Sequence, residues 1–402
     1  MFLSNGFSIF VNQYIELRVI EANMDAVIRT TRFNREELAK YVHRPVFKRI
    51  QYQTPDYITQ SFPFECKLPS YNFMALQEVV VGMDIENDPW VRHTRARLSR
   101  IPPGTSRNQL DQKLSKTIAK QDTSTHRGLR DFLTAASAIC VDLGPWAADW
   151  YVAKVIEKAK AAGGPFQHVV RRWQDSEKYY LLEALEKVSV IPVSYDPSEI
   201  CAGCNDRLNV LIEALLNEKM DFESNDMEFS GIIFVTRRDV VIALAEVLQH
   251  HPFTKDTFHV GSLLGNSSDS RRTSFLDITR SLITQTTAET LADFKLGYKN
   301  LIVSTSVAEE GIDVQSCCSV IRWDLPQNMI SWAQSRGRAR KKKSTFVIMT
   351  EIGQDPSVLR WEDLERQMVE LYNDPSRDFQ EEVEELEDPE GENMVFRVEK
   401  TG

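Results

Sequence analysis

The sequence predicts two folded units: an all-α block over residues 70–190 and a doubly wound, parallel α/β unit over residues 191–350. Two observations carry this. Short, continuous apolar runs such as GIIFV and NLIVS mark strands buried on both faces, and they alternate with helical stretches, the pattern of a parallel sheet. Upstream of them, apolar residues recur at helical spacing for over a hundred residues with no strand signal between.

Residues 1–20 form an atypical N-terminal segment. It has no basic n-region and no small-residue cleavage site, so it reads as untargeted. Residues 21–69 read as a connecting segment, with a short helical pattern, REELAKYVHRP, that stops before Pro45. In the α block, Leu76, Val80 and Met83, then Leu110, Leu114 and Ile118, then Leu129, Phe132, Ala136, Ile139 and Leu143, each define one helical face. Pro145 opens the next helix at a favoured first-turn position. Trp146, Trp150, Ala153 and Ile156 continue it, and Gly163-Gly164 end it. A further helix starts near Ser176.

After Pro197 an amphipathic helix spans Leu208 to Lys219. Five strands follow: Gly231–Val235, one around residue 260, Asn300–Ser306, Cys318–Asp324 and Thr345–Thr350. Helices over Asp239–His250, Glu289–Gly297 and from about Met329 connect them. Residues 351–402 read as a helical and acidic linker, with eight acids and no base in residues 381–392.

The chain has 402 residues and a formal net charge of −10. Removing residues 381–392 leaves 48 basic against 50 acidic residues, so the body is near neutral. Six of the eight residues in Arg336–Lys343 are Arg or Lys, a concentrated basic patch compatible with nucleic acid. No apolar run reaches the roughly 20 residues of a membrane span. Six cysteines are too few for a disulfide scaffold, so no disulfide partner and an intracellular setting, cytoplasmic or nuclear, are expected. Cys201-x-x-Cys204 lacks a second pair and reads as incidental thiols, Cys317-Cys318 read as core, and no metal pattern is evident.

Candidate chemistry lies at strand ends. Thr236-Arg237 follow the first strand of the α/β unit, and Thr305-Ser306 follow the third and lead into Gly311 and Asp313. Gln334, Arg338 and Arg340 lie on the helix after the fourth. Since all three segments follow strands, they are expected to converge on one edge of the sheet. Hydroxyls, backbone amides and guanidinium groups together suit phosphate, and Asp313 could accept from a ribose hydroxyl. The plainer readings are a helix cap for Thr305 and Ser306, a strand exit for Thr236 and Arg237, and a solvated basic face for the arginines.

These segments resemble the second RecA-like lobe of superfamily 2 helicases, a P-loop NTPase fold: IIFVTRR resembles motif IV, STSVAEEGIDV motif V and QSRGRAR motif VI. AEEGID followed by RWDLP and QSRGRAR is similar to the helicase region of Dicer, where an all-α insertion precedes the bulk of this lobe. DAVIRTTRFNREELAKYVHRP, DIENDPWV and DLGPWAADWYV resemble fungal Dicer-like proteins of the antiviral class.

The resemblance implies that Gly311 and Asp313 contact the nucleotide, Arg338 and Arg340 act as arginine fingers, and Gln334 positions phosphates or water. It places Thr236, Arg237, Thr305 and Ser306 on the RNA backbone. It also implies double-stranded RNA as a partner and a role in RNA interference and antiviral silencing. The sequence contains no G-x-x-x-x-G-K-[ST] loop, no D-E-C-H motif and no ribonuclease III signature. It is therefore expected to be an internal slice, binding ATP and Mg²⁺ only if a first RecA lobe is present and inactive by itself as ATPase or nuclease. The alternative is a non-catalytic RNA-binding or protein-interaction module.

Overall fold

The computed structural model describes residues 45–54, 70–161, 170–265, 275–306, 317–326, 328–353 and 363–364. The expected helical pattern over residues 35–44, the expected helix end at Gly163-Gly164, all but residues 363–364 of the helical part of the C-terminal linker (361–372), the acidic run 381–392, and both Gly311 and Asp313 lie outside the described residues.

The helical block comprises α1 (Tyr71–Val81), α2 (Pro89–Leu98), α3 (Thr105–Lys120), α4 (Ser124–Leu143), α5 (Pro145–Lys160) and α6 (Asp175–Glu186), with a 3₁₀ turn at Ile85–Asn87. Local chemistry sets their starts. Asp88 accepts from the Trp90 N–H at the start of α2, and Thr123 accepts from the His126 N–H at the start of α4. At the α4–α5 junction Gly144 has φ +111°, and a Cβ there would lie 2.2 Å from the Gly203 carbonyl oxygen. Only glycine fits that turn.

Helices α7 (Pro197–Ala202) and α8 (Asp206–Glu223) lead into the α/β part. There β2 (Gly231–Phe234), α9 (Arg238–His250), β3 (Val260–Leu263), a 3₁₀ helix (Phe275–Leu282), α10 (Thr287–Lys295), β4 (Leu301–Ser304), β5 (Ser319–Arg322), α11 (Met329–Arg336) and β6 (Thr345–Glu351) follow in order. The four residues of each of β2, β4 and β5 are fully buried, as continuous apolar runs require.

One strand comes from the segment read as connecting. Val46–Tyr52, β1, pairs in parallel with β6, Val46 opposite Thr345 and Tyr52 opposite Glu351. The six-stranded sheet has order β1-β6-β5-β2-β4-β3, and every pairing is parallel. The helical block is thus inserted between the edge strand and the rest of its sheet. A single hydrophobic core runs through both parts, from Phe132, Tyr151 and Leu185 to Ile233, Val303 and Val347. A small second core of Ile85, Val91, Leu98 and Leu114 lies under α2 and α3. Trp146 and Trp150 are buried and Trp173 packs against the main core, as packing residues should. Cys317 and Cys318 are fully buried core residues.

Candidate RNA and nucleotide interface

In an all-parallel sheet every strand delivers its carboxyl end to the same edge. Phe234 pairs with Ser304 on one side and Arg322 on the other, so Thr236 and Ser306 sit beyond neighbouring strand ends. Thr236, Arg237 and Ser306 are exposed, whereas Thr305 is only 7% exposed. The Thr305 hydroxyl accepts from the Gly265 N–H at 3.3 Å, and its own N–H donates to the Leu263 carbonyl at 3.2 Å. Ser306 therefore offers the free approach on this strand end, and Thr305 holds the turn behind it.

Arg237 makes a two-pronged ion pair with Asp239, Nη2 to Oδ2 at 2.5 Å and Nε to Oδ1 at 3.2 Å. Burial works against its charge, but the Asp239 carboxylate more than offsets this and keeps the guanidinium protonated.

Sequence reasoning missed the residue that organises this edge. Arg207, on α8, donates from Nη1 to Asp142 at 2.5 Å and from Nη2 to the Trp323 carbonyl at 2.5 Å and Asp324 at 3.2 Å. Its guanidinium lies over two rings, 4.0 Å from the centroid of Trp323 and 4.8 Å from that of Tyr52. The second oxygen of Asp324 accepts the Thr236 N–H at 2.7 Å. One buried guanidinium thus links the edge strand β1, helix α4 of the insertion, the end of β5 and the exit of β2. Burial pushes the Asp142 carboxyl up to about 6, although Arg207 acts in the opposite direction. The RWDLP stretch held the signal for Trp323 and Asp324. Arg207, isolated in sequence, had none.

The third segment does not join the other two, which corrects the expected convergence on one edge. Helix α11 starts beyond the carboxyl end of β5 and runs back along the sheet, as a parallel crossover must. Its eight residues span about 12 Å, close to the ~13 Å of a four-residue strand. Gln334 is half-buried on that helix. Arg338 and Arg340 emerge at the amino-terminal edge: the Arg338 carbonyl accepts from the Cys317 N–H at 3.0 Å, two residues before β5. Ala339 forms an isolated parallel bridge with Cys317. Gly337 has φ −63°, so no left-handed turn calls for glycine there.

The Cys201-x-x-Cys204 pair gains a neighbour that the sequence did not show. Cys201 Sγ lies 3.5 Å from His251 Nε2. Cys204 donates to the Ile200 carbonyl at 3.1 Å, and burial pushes its thiol up to about 12. Among the described residues no group of three metal-capable side chains occurs. The five described cysteines are free, and among the described residues no helix is long and apolar enough to cross a membrane.

A parallel six-stranded sheet, hydroxyls at adjacent strand exits and an arginine-bearing crossover helix define the second RecA-like lobe of a helicase, here with an all-α insertion. Residues 207–343 match the helicase conserved C-terminal domain. The chain is 36% identical over 373 residues to Dicer-like protein 2 of Aspergillus fumigatus, covering 91% of this chain and 25% of that protein. It is 31% identical over 393 residues to Dicer-like protein 2 of Neurospora crassa, covering 97% of this chain and 23% of that one. Among solved structures, the helicase domain of Pyrococcus furiosus Hef is similar at 17% identity and TM-score 0.35, over 82% of this chain and 60% of that chain. The chain is the helicase C-terminal portion of a Dicer-like protein, and it spans about a quarter of the length of the relatives it matches.

Proposed function

We propose that this chain supplies the second half of an RNA-dependent ATPase motor in RNA silencing, and that double-stranded RNA lies along the carboxyl edge of its sheet. The observation that carries the reading is the pairing of two exposed hydroxyls, Thr236 and Ser306, at the exits of hydrogen-bonded strands β2 and β4. Hydroxyls and amides so arranged fit consecutive phosphates of one strand. Arg237 flanks them, with Asp239 fixing its fork.

On this reading Arg338 and Arg340 serve a γ-phosphate from the opposite edge. RNA and nucleotide then touch different ends of the same strands, so strand positions can couple the two. Gln334, Gly311 and Asp313 complete the nucleotide side, and ATP with Mg²⁺ is held chiefly by a first lobe carrying the phosphate loop. Arginine fingers are worth about 10³–10⁵ in rate only when the phosphates are already in place.

RNA-stimulated ATP hydrolysis tests the division of labour. The chain by itself is expected to be inactive. Mixed with a first lobe from a relative it is expected to turn over ATP, and Arg338→Ala is expected to abolish that turnover. Turnover by the chain alone would overturn the reading.

A further inference from the structure

The amino-terminal edge of the sheet, from which Arg338 and Arg340 also emerge, carries a further set of groups, on the opposite side of the sheet from the exits of β2 and β4. Between α9, β3 and α10 lies an open cavity of about 550 Å³, with Lys255, His259, Tyr298 and Lys299 on its walls. Lys299 also lines an adjoining cavity of about 410 Å³, shared with Lys219, Lys295 and Lys341. The first volume falls within the range of ligand pockets, roughly 300–1,000 Å³.

The two cavities flank the same stretch of chain. The His259 N–H donates to Asn300 Oδ1 at 2.8 Å, and Lys219 Nζ donates to the Thr257 carbonyl at 3.3 Å. Together they hold five lysines against three glutamates, a local excess of positive charge in a chain whose net charge is −10. Glu223 pairs with Lys219, one of the five, at 3.1 Å, and Glu246 accepts from the Tyr195 hydroxyl at 3.0 Å, so the excess rests on Lys255, Lys295, Lys299 and Lys341. Large side chains line the same cavities in the open: Tyr298 in the first and Leu296 in the second are each 70% exposed.

Lysines tracking a groove beside an exposed aromatic ring are the chemistry of single-stranded nucleic acid, with phosphates on the cations and a base on the ring. A duplex keeps its bases stacked inside and cannot place one in a concave pocket. Protein interfaces are poor in lysine at their centres. We infer that the Lys255–Tyr298–Lys299 cavity and its neighbour form a binding groove for single-stranded RNA on the amino-terminal edge. The inference stands on this edge alone and does not depend on the carboxyl-edge reading.

The test is fluorescence anisotropy of the full chain with a labelled oligouridine, from low to physiological salt, beside a blunt duplex of the same length. Tyr298→Ala is expected to weaken oligouridine binding about tenfold, the scale of one lost base stack. Lys255→Gln is expected to reduce the salt slope by about 0.7. Both positions are exposed, so thermal melting of each variant should match the parent and exclude misfolding. Binding of oligouridine without the duplex would support this groove and sink the carboxyl-edge reading, and each result can occur without the other. The inference is overturned if oligouridine does not bind at low salt, or if both variants bind it as tightly and with the same salt slope as the parent. It is also overturned if uridine monophosphate binds as tightly as the oligomer, since the site would then be a mononucleotide pocket.

Discussion

Replacing Arg207 by Met keeps the apolar stem and removes the guanidinium that ties four elements together. The parent side chain is 12% exposed and its partner Asp142 20%. The substitution strands Asp142 among buried groups with Asp324 and Asp239 adding like charge, and with only Arg237 still opposing them. It also removes the donor to the Trp323 carbonyl and the cation over the Trp323 and Tyr52 rings. Breaking one side of a buried ion pair costs roughly 3–5 kcal/mol. Because both side chains retain some exposure, the lower end, about 3 kcal/mol, applies here. For a unit of this size, Arg44–Gln354, that lowers Tm by about 5 °C. Thermal melting by circular dichroism, with urea unfolding in parallel, measures it. Arg207→Lys should fall between, since an ammonium keeps the charge but not the two-pronged geometry. A Met variant that melts within a degree or so of the parent would refute the idea that this contact joins the helical insertion to the sheet.

Asp142 yields a pH prediction of known sign. Its folded carboxyl titrates near 6 against 3.8 unfolded, so the folded state holds the proton more tightly. The group's contribution is therefore most favourable below pH 4, and up to about 3 kcal/mol is lost as pH rises from about 4 to 6. Asp142→Asn should flatten that part of the stability profile, and an unchanged slope would count against it. Gly144→Ala must place a Cβ 2.2 Å from the Gly203 carbonyl oxygen at φ +111°. It should destabilise by about 3 kcal/mol in urea unfolding, and a neutral result would mean that the α4–α5 junction can move apart from α7.

Much of the fold was legible because the strands of a doubly wound sheet are buried on both faces. GIIFV and TFVIMT announce themselves as apolar runs, and the structure places β2 and β6 there. Edge strand β1 was not legible, for the same reason in reverse. VFKRIQY is half-exposed, interrupts its apolar residues with Lys48, Arg49 and Gln51, and lies far in sequence from its partner β6. The exits of β2 and β4 were legible as candidate phosphate contacts because each follows a readable strand. Their placement relative to Arg338 and Arg340 was not. Motif order says which residues follow a strand, but a helix of eight residues is long enough to carry its end to the far edge. Contacts such as Arg207 with Asp142, or Cys201 with His251, join residues with no shared motif, and only the fold brings them together.

The central claim is that RNA contacts the carboxyl edge of this sheet through the exits of β2 and β4. The most direct measurement is the affinity of the full chain for blunt double-stranded RNA across a salt series, with Thr236→Glu and Ser306→Glu combined in one variant. Both positions are exposed, so the fold should persist, and two carboxylates there would repel phosphate. The account predicts that the parent binds at low salt with a steep salt dependence, and that the double variant binds at least about tenfold more weakly. Equal affinity of the two proteins, or no binding by the parent at low salt, would contradict it.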